Sequence, residues 1–415
     1  MAQPIEAQAL NNDTLAGERT YPALWKLRLV SGWIMLLTSL VGLFAVSWDI
    51  QWHIAVGRDR TLTAPHLFIL GSITVTGLAA LAAVLLETLW ARRNASVAQE
   101  STTFAGIFSS SLGTYLVGYG ALDAAIAFPL DQYWHTLYGI DVSIWAPFHI
   151  MALVGVSVGC LGIIYILADG AQLAAKQGAQ WAAQVGYIGV IVACATLLSF
   201  LSILLLNALS TGYLHFGNLT FTVYPLMLGA FGIFVMMLAT RALPWRAAST
   251  SVVIVYLVIG LGIYLLVPSL MTLNLHLEQQ ALLPSAPTVS IVAVEWQYWV
   301  IIAAVLLDIV VWVSQRMRWP LRSTNWVTFV VASIGISLSA FFYPLFLRTA
   351  RAHASLASAV KGTVQATTQS QAAGNLPHTN IVVIVVVSLL LGLLGTWLGY
   401  WLGTGTGESM RRKQA

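Results

Sequence analysis

Residues 185–206 read VGYIGVIVACATLLSFLSILLL, 22 positions with no charge and no proline. A helix rises about 1.5 Å per residue, so roughly 20 apolar residues cross a hydrocarbon core ~30 Å thick. Lipid offers the backbone no hydrogen-bond partners, so such a run is a helix; a barrel would show short alternating strands instead. Outward from this run, placed at 184–207, comparable stretches lie at 25–48, 66–90, 106–129, 148–169, 224–241, 249–268, 294–314, 325–347 and 379–403. The expected fold is an all-α polytopic membrane protein of about ten transmembrane helices. Composition agrees: 58% of the 415 residues are hydrophobic and 8% charged, against roughly 25% charged in soluble domains. That balance excludes a soluble fold, a disordered chain, a disulfide-stapled secreted domain and a nucleic-acid binder, and makes the bilayer the main partner. The net charge of +4 comes from short basic clusters between apolar runs, not from a basic surface. Cys160 and Cys194 both fall inside apolar runs, which argues against a disulfide framework or a thiolate metal site. About twenty polar residues precede the first run, so no secretory leader is expected.

The basic clusters orient the spans. With ten spans, Lys26, Arg28, Arg92, Arg93, Lys176, Arg241, Arg246, Arg316, Arg318, Arg322, Arg411, Arg412 and Lys413 share one side. Arg58, Arg60, Arg348, Arg351 and Lys361 make a smaller, scattered set on the other. Both termini are expected in the cytoplasm, with residues 1–23 a cytoplasmic segment. All eight histidines, His53, His66, His135, His149, His215, His276, His353 and His378, fall at the outer ends of spans or in outer loops. Imidazole is the commonest metal ligand, so this asymmetry points to metal or proton chemistry at the extracytoplasmic face.

Two outer loops carry one pattern, 82 positions apart. The first reads Asp49, Trp52, His53, Gly57, Asp59, Pro65, His66; the second reads Asp131, Trp134, His135, Gly139, Asp141, Pro147, His149. Six positions recur in register and only the last His slips by one. Each pattern joins a span that runs outward to one that returns, so the first four helices are a parallel duplication of a two-helix unit. Asp49 and His53 are four apart and share a helical face. Pro65 suits the first turn of the returning helix, which carries His66 back toward them. Two imidazoles and a carboxylate result, with coordination positions left open for water, oxygen or substrate. Asp131, His135 and His149 offer the same set again.

The first loop, Asp49, Trp52, His53, Arg58, Asp59, Thr63 and His66, resembles the copper-site motif in the C-type subunit of the membrane-bound (particulate) methane and ammonia monooxygenases. The second resembles that polypeptide's second metal-binding segment, matching at His135, Thr136, Ala146, Pro147 and His149, with Asp131 where the family has Asn. The resemblance covers residues 25–175, within a metal-binding unit at 24–175; six further helices follow in 176–415. No counterpart is read for the two helices that the family places before the motif. What the resemblance implies is a copper-binding subunit of a monooxygenase that hydroxylates a short alkane or ammonia with oxygen. Asp49, His53 and His66 would be catalytic, and quinol or another reductant would supply electrons. Family members assemble with A-type and B-type subunits in a trimer of heterotrimers, in the bacterial cytoplasmic membrane. Two His and a carboxylate also suit iron or zinc.

Trp52, Arg58, Asp59 and Thr63 are read as groups that orient the ligands. Asp123 and Asp308 lie inside spans, where an ionisable group faces the bundle interior. Asp123, about two turns below the second hairpin, could relay protons to it, while Asp308 has no evident partner. His215, His276 and Glu278 could cover a site, although their spacing matches no ligand pattern. The outer segment 349–378 is of low complexity, with a short helix at 350–364 and a linker at 367–377. Gly392, Gly395, Gly399 and Gly403 read as close helix packing. The alternative reading is an extracytoplasmic metal-binding or metal-transport protein without oxygenase activity, favoured by the extra spans. A haem protein would need intramembrane His pairs on facing helices, and the sequence offers none.

Overall fold

The computed structural model describes residues 22–57, 62–139, 144–210, 213–216, 219–283, 299–352 and 381–411. In chain order these form α1 (Pro22–Val56), α2 (Ala64–Arg93), α3 (Ala95–Glu100), β1 (Thr102–Phe104), β2 (Phe108–Ser110), α4 (Leu112–Tyr138), α5 (Pro147–Lys176) and α6 (Gln180–Ser210). There follow β3 (Tyr213–Phe216), β4 (Leu219–Thr222), α7 (Tyr224–Ala242), α8 (Ala248–Glu278), α9 (Val300–Arg316), α10 (Leu321–Ala352) and α11 (Ile381–Arg411). Eight of the described helices are long and apolar enough to cross a membrane. Of the other long ones, α4 is diluted by Asp123, Pro129 and its glycines, and α9 is 17 residues long. The chain is an all-α multi-pass membrane protein.

A helix stands at each of the ten expected places, but several ends differ. The third run was expected from residue 106; instead Thr102–Phe104 and Phe108–Ser110 pair as an antiparallel hairpin. Three residues join the paired Phe104 and Phe108; Ala105 and Gly106 turn with φ of 52° and 69°, and Ile107 N donates to Phe104 O at 3.1 Å. Ser111 then caps α4, its hydroxyl accepting from Thr114 N at 3.2 Å. Helices α1 and α4 run on past the expected ends of their spans, so Asp49, His53, Asp131 and His135 sit on helices rather than in loops. Residues 350–352 continue α10, and the rest of the expected outer helix and linker lies outside the described residues.

Helices α1, α2, α4 and α5 close a ring: α1 packs on α2, α2 on α4, α4 on α5, and α5 back on α1. The duplication sets how they cross. Shifting α1 by 82 and α2 by 83 positions maps them onto α4 and α5. In the first pair Thr38 and Thr76 share a hydroxyl hydrogen bond of 2.8 Å, and Ser72 lies against Gly42. Their equivalents are Gly120 with Gly159 and Ala124 with Gly155. There the backbones meet: a Cβ on Gly120 would lie within 3 Å of Gly155 O, and one on Gly155 within 3 Å of Gly120 O. Gly113 and Gly162 repeat that reciprocal contact lower down. One crossing is kept by hydroxyls, the other by glycines.

Helix α6 packs on both α5 and α7 and is the most buried of the candidate spans, with 78% of its window inside the protein. It joins the ring to the later helices through one core. The seam of α11 against α7 is the glycine packing expected from sequence. A Cβ on Gly395, Gly399 or Gly403 would fall within 3 Å of the carbonyl of Leu226, Ala230 or Phe234.

The end of the ring away from His53 and His66 holds a feature that the apolar runs did not reveal. Arg28, expected to be an orienting surface charge, is 2% exposed inside α1 and pairs with Glu87 of α2, itself 1% exposed. Arg28 also lies 3.9 Å from Asp169 of α5 and donates to Glu100 O at 2.9 Å. Ser101 and Ser110 donate to the Glu87 carboxylate at 2.6 and 3.3 Å. Glu87 stood inside the expected span 66–90 and Asp169 at the end of 148–169, so an ionisable group within an apolar run was the available signal. Asp308, without an evident partner in sequence, accepts from Ser249 N at 3.2 Å and Thr250 N at 2.7 Å. From α9 it caps the first turn of α8, a structural role.

Candidate metal centre

Both triads form. Asp49 and His53 lie in the last two turns of α1, and His66 is the third residue of α2. Gly57, with φ of 66°, ends α1 by donating its N–H to His53 O at 3.1 Å. Gly139, with φ of 85°, ends α4 by the same bond to His135 O at 3.0 Å. Positive φ admits glycine best, so the repeated Gly four residues after each His stops the helix directly beyond its ligand. The one-residue slip is absorbed by the connecting loop. His66 follows Ala64 and Pro65, His149 follows Pro147 and Phe148, and each is therefore the third residue of its helix. Thr63 caps α2, its hydroxyl accepting from His66 N at 3.4 Å.

In the first triad Asp49 Oδ1 lies 3.2 Å from His66 Nε2, and Asp49 Oδ2 lies 3.5 Å from His53 Nε2. In the second, Asp131 Oδ2 lies 3.1 Å from His135 Nε2 and 3.3 Å from His149 Nε2. The two rings of each triad stand 6.1 Å apart, centroid to centroid. Within each triad one ligand atom per residue lies within 4.8 Å of the others, and no other such group occurs among the described residues. Ligands about 2.0–2.2 Å from a metal and 90–110° apart are separated by roughly 2.9–3.5 Å. The observed edges match that spacing.

The donor chemistry points the same way. Gly139 O lies 3.3 Å from His135 Nδ1, and a carbonyl only accepts, so Nδ1 carries the proton. In the neutral ring the Nε2 lone pair then faces the Asp131 carboxylate. Two electron-rich atoms at that distance are held together by a cation, either a proton on Nε2 or a metal ion shared with the carboxylate. In the first triad, Asp49 Oδ1 and His53 Nδ1 are buried without hydrogen-bond partners, as is Asp131 Oδ1 in the second. Buried carboxylate oxygens left in this way call for an explanation, and a metal ion held by each Asp would supply one; His53 Nδ1, on the far side of its ring, is not accounted for by such an ion.

The surroundings of the two triads differ. Trp52 is 2% exposed, and the indole N–H groups of Trp48 and Trp52 have no acceptor among the described residues. Trp134 stacks on Tyr138, ring centroids 4.3 Å apart. His66 meets the edge of Phe128 at 5.5 Å. Phe128 sits one turn before Asp131 on α4, so it ties the first triad to the helix of the second. Nothing in the sequence pattern flagged it, because its counterpart in the first repeat is Val46. From the later helices, Leu283 N donates to Ala55 O at 2.8 Å, which lays the end of the α8 segment against the last turn of α1.

Of the remaining expected residues, several lie outside the described ones. Arg58, Asp59, Asp141, His353 and His378 lie outside the described residues. Asp123 is half-buried on α4, eight residues before Asp131, and makes no hydrogen bond or ion pair among the described residues. His276 is exposed near the end of α8, and His215 belongs to β3. No protein-family model, curated protein or solved structure matches the chain. The resemblance to the monooxygenase polypeptide rests on the motif residues themselves.

Asp131 gives a test within one triad. Asp131→Asn keeps the shape but removes the charge facing both imidazoles. Metal affinity at the second triad should fall about tenfold or more, on the scale of lost ligand-supporting groups, while the first stays filled. Copper titration followed by electron paramagnetic resonance in an Asp49→Ala background isolates that site. An unchanged spectrum and affinity would remove the Asp131 carboxylate from the ligand set.

Proposed function

We propose that this chain is a copper-binding membrane subunit of a monooxygenase, similar to the C-type polypeptide of the particulate methane and ammonia enzymes. The observation that carries the reading is the pair of Asp-His-His triads, equivalent in sequence and in ligand spacing, on one helical ring. Bound copper would supply the redox centre at which dioxygen is reduced. The chain's own contribution is positional. Asp49 brings charge to a site where the surrounding helix is apolar. Gly139 O fixes which nitrogen of His135 faces the metal, the orienting role usual for groups behind a ligand. Phe128 and Trp52 limit water at the first triad. The ten-helix count, the outer placement of the triads, a bacterial cytoplasmic membrane, A-type and B-type partners and a quinol reductant belong to the same reading.

Metal transport through the ring is less well supported, because a path inward from the triads would have to pass the buried Arg28, Glu87 and Asp169. The deciding experiment is oxygen uptake by membranes carrying the chain with its partner subunits. Uptake that requires both copper and a short alkane or ammonia is expected. Copper import into vesicles with no substrate-dependent oxygen uptake would favour the transport reading.

Sidedness is testable separately. Gly57 and Gly139 are unsuitable probe positions, since both have positive φ. Leu62 and Tyr138, 68% and 70% exposed beside the triads, are better. Cysteine at either, in a background lacking Cys160 and Cys194, should react with an impermeant maleimide on intact spheroplasts. Labelling only after the membrane is opened would reverse the topology.

A further inference from the structure

A cavity of about 40 Å³ lies within the ring, lined by Ser39, Val46, Ile69, Ser72, Ile73 and Thr76 of α1 and α2 together with residues of α4, α5 and α6. Its position follows the duplication. Ser39 and Ala121 are equivalent, as are Ser72 and Gly155, Ile73 and Val156, Thr76 and Gly159, and both members of every pair line it. The cavity therefore sits on the local two-fold axis that relates the hairpins. Val46 is one turn before Asp49 and Ile69 one turn after His66, so the cavity begins directly beneath the first triad.

Its lining is mostly apolar. A water needs roughly 10–15 Å³ and two to four polar partners. Here the volume suffices for more than one water, but two of the three lining hydroxyls are engaged. Ser72 Oγ donates to Ile69 O at 2.8 Å, and Thr76 is bonded to Thr38. Apart from Ser39, the rest of the lining is aliphatic side chains, glycine and Phe200. Apolar cavities of this kind stay dry and admit apolar gases.

We propose that this cavity is a binding site for a small apolar gas, of the size class of xenon, dioxygen or methane, serving the first triad. The inference rests on the metal reading only for what the site serves.

Gly159 supplies the test. A Cβ there would meet no atom within 4 Å, so it projects into the space without a clash, and alanine favours helix more than glycine does. Copper-free protein in detergent is placed under xenon and followed by xenon NMR, with empty micelles as background. A saturable bound signal is expected in wild type, weakened in Gly159→Ala and absent in Gly159→Val. Ile73→Ala, which enlarges the space from the opposite helix, should strengthen it. Methane should displace the xenon and ammonium chloride at alkaline pH should not. A signal equal in wild type and both Gly159 variants, or displacement by ammonia alone, overturns the proposal. Because no copper is present, these outcomes are independent of the metal assignment. Copper(II) is then bound to the Asp49 triad in an Asp131→Ala background. Faster relaxation of the bound xenon is expected, and an unchanged rate would separate the cavity from the metal site and overturn the link.

Discussion

Purified in mild detergent, loaded with copper and freed of excess metal, the chain is expected to hold two ions and to lose them one triad at a time. His53→Ala should leave one ion, His135→Ala the other, and the double variant none. The independence follows from the geometry. Each Asp serves only its own two imidazoles, at 3.2 and 3.5 Å in the first triad and 3.1 and 3.3 Å in the second. Groups that merely support a ligand are worth about 10–100-fold in metal affinity, so losing a ligand should cost at least that much. Elemental analysis reads the result, and equal metal in wild type and double variant would sink both assignments. Phe128 adds a finer expectation. Phe128→Val, which restores the residue of the first repeat, should change the spectrum of copper at the first triad, whose His66 it touches, more than that at the second.

Much of this site was legible in sequence because its constraints are local. Asp and His four apart must share a helical face, and a Gly four residues after each His marks where the helix stops. The one-residue slip at His149 looked like a defect in the repeat, yet it disappears once position is counted from the start of α5. What could not be read was non-local. Phe128 is an ordinary aromatic until α2 is laid beside α4. The cavity exists only because equivalent small residues from four helices face one axis. The spans were likewise legible as apolar runs but their ends were not. Residues 106–110 were read as the start of a span, and with Thr102–Phe104 they form a hairpin whose turn has positive φ at Ala105 and Gly106. Asp308 appeared alone because its partners are backbone N–H groups on another helix, which a sequence does not display.

The end of the ring that holds Arg28 and Glu87 should be as sensitive to substitution as the end that holds the triads is to ligand loss. Glu87 is 1% exposed and is held by Arg28, Ser101 and Ser110. Removing one partner of a buried pair leaves an uncompensated charge, at a cost of about 3–5 kcal/mol. Glu87→Ala should therefore destabilise by that amount in thermal or denaturant unfolding in detergent. Glu87→Gln should lose less, since its amide oxygen still accepts from the serines. The double variant Arg28→Met, Glu87→Met should recover part of the loss, because neither charge is then left facing an apolar wall; Asp169, 3.9 Å from Arg28, limits the recovery. If Glu87→Ala unfolds within about 0.5 kcal/mol of wild type, the size of an ordinary surface substitution, the network is not buried as described. The same variants bear on transport. A ring closed at this end predicts no copper flux through wild-type protein in liposomes. Flux in wild type that Glu87→Ala alters would mean that the bundle conducts metal through this network and that the triads are its outer mouth.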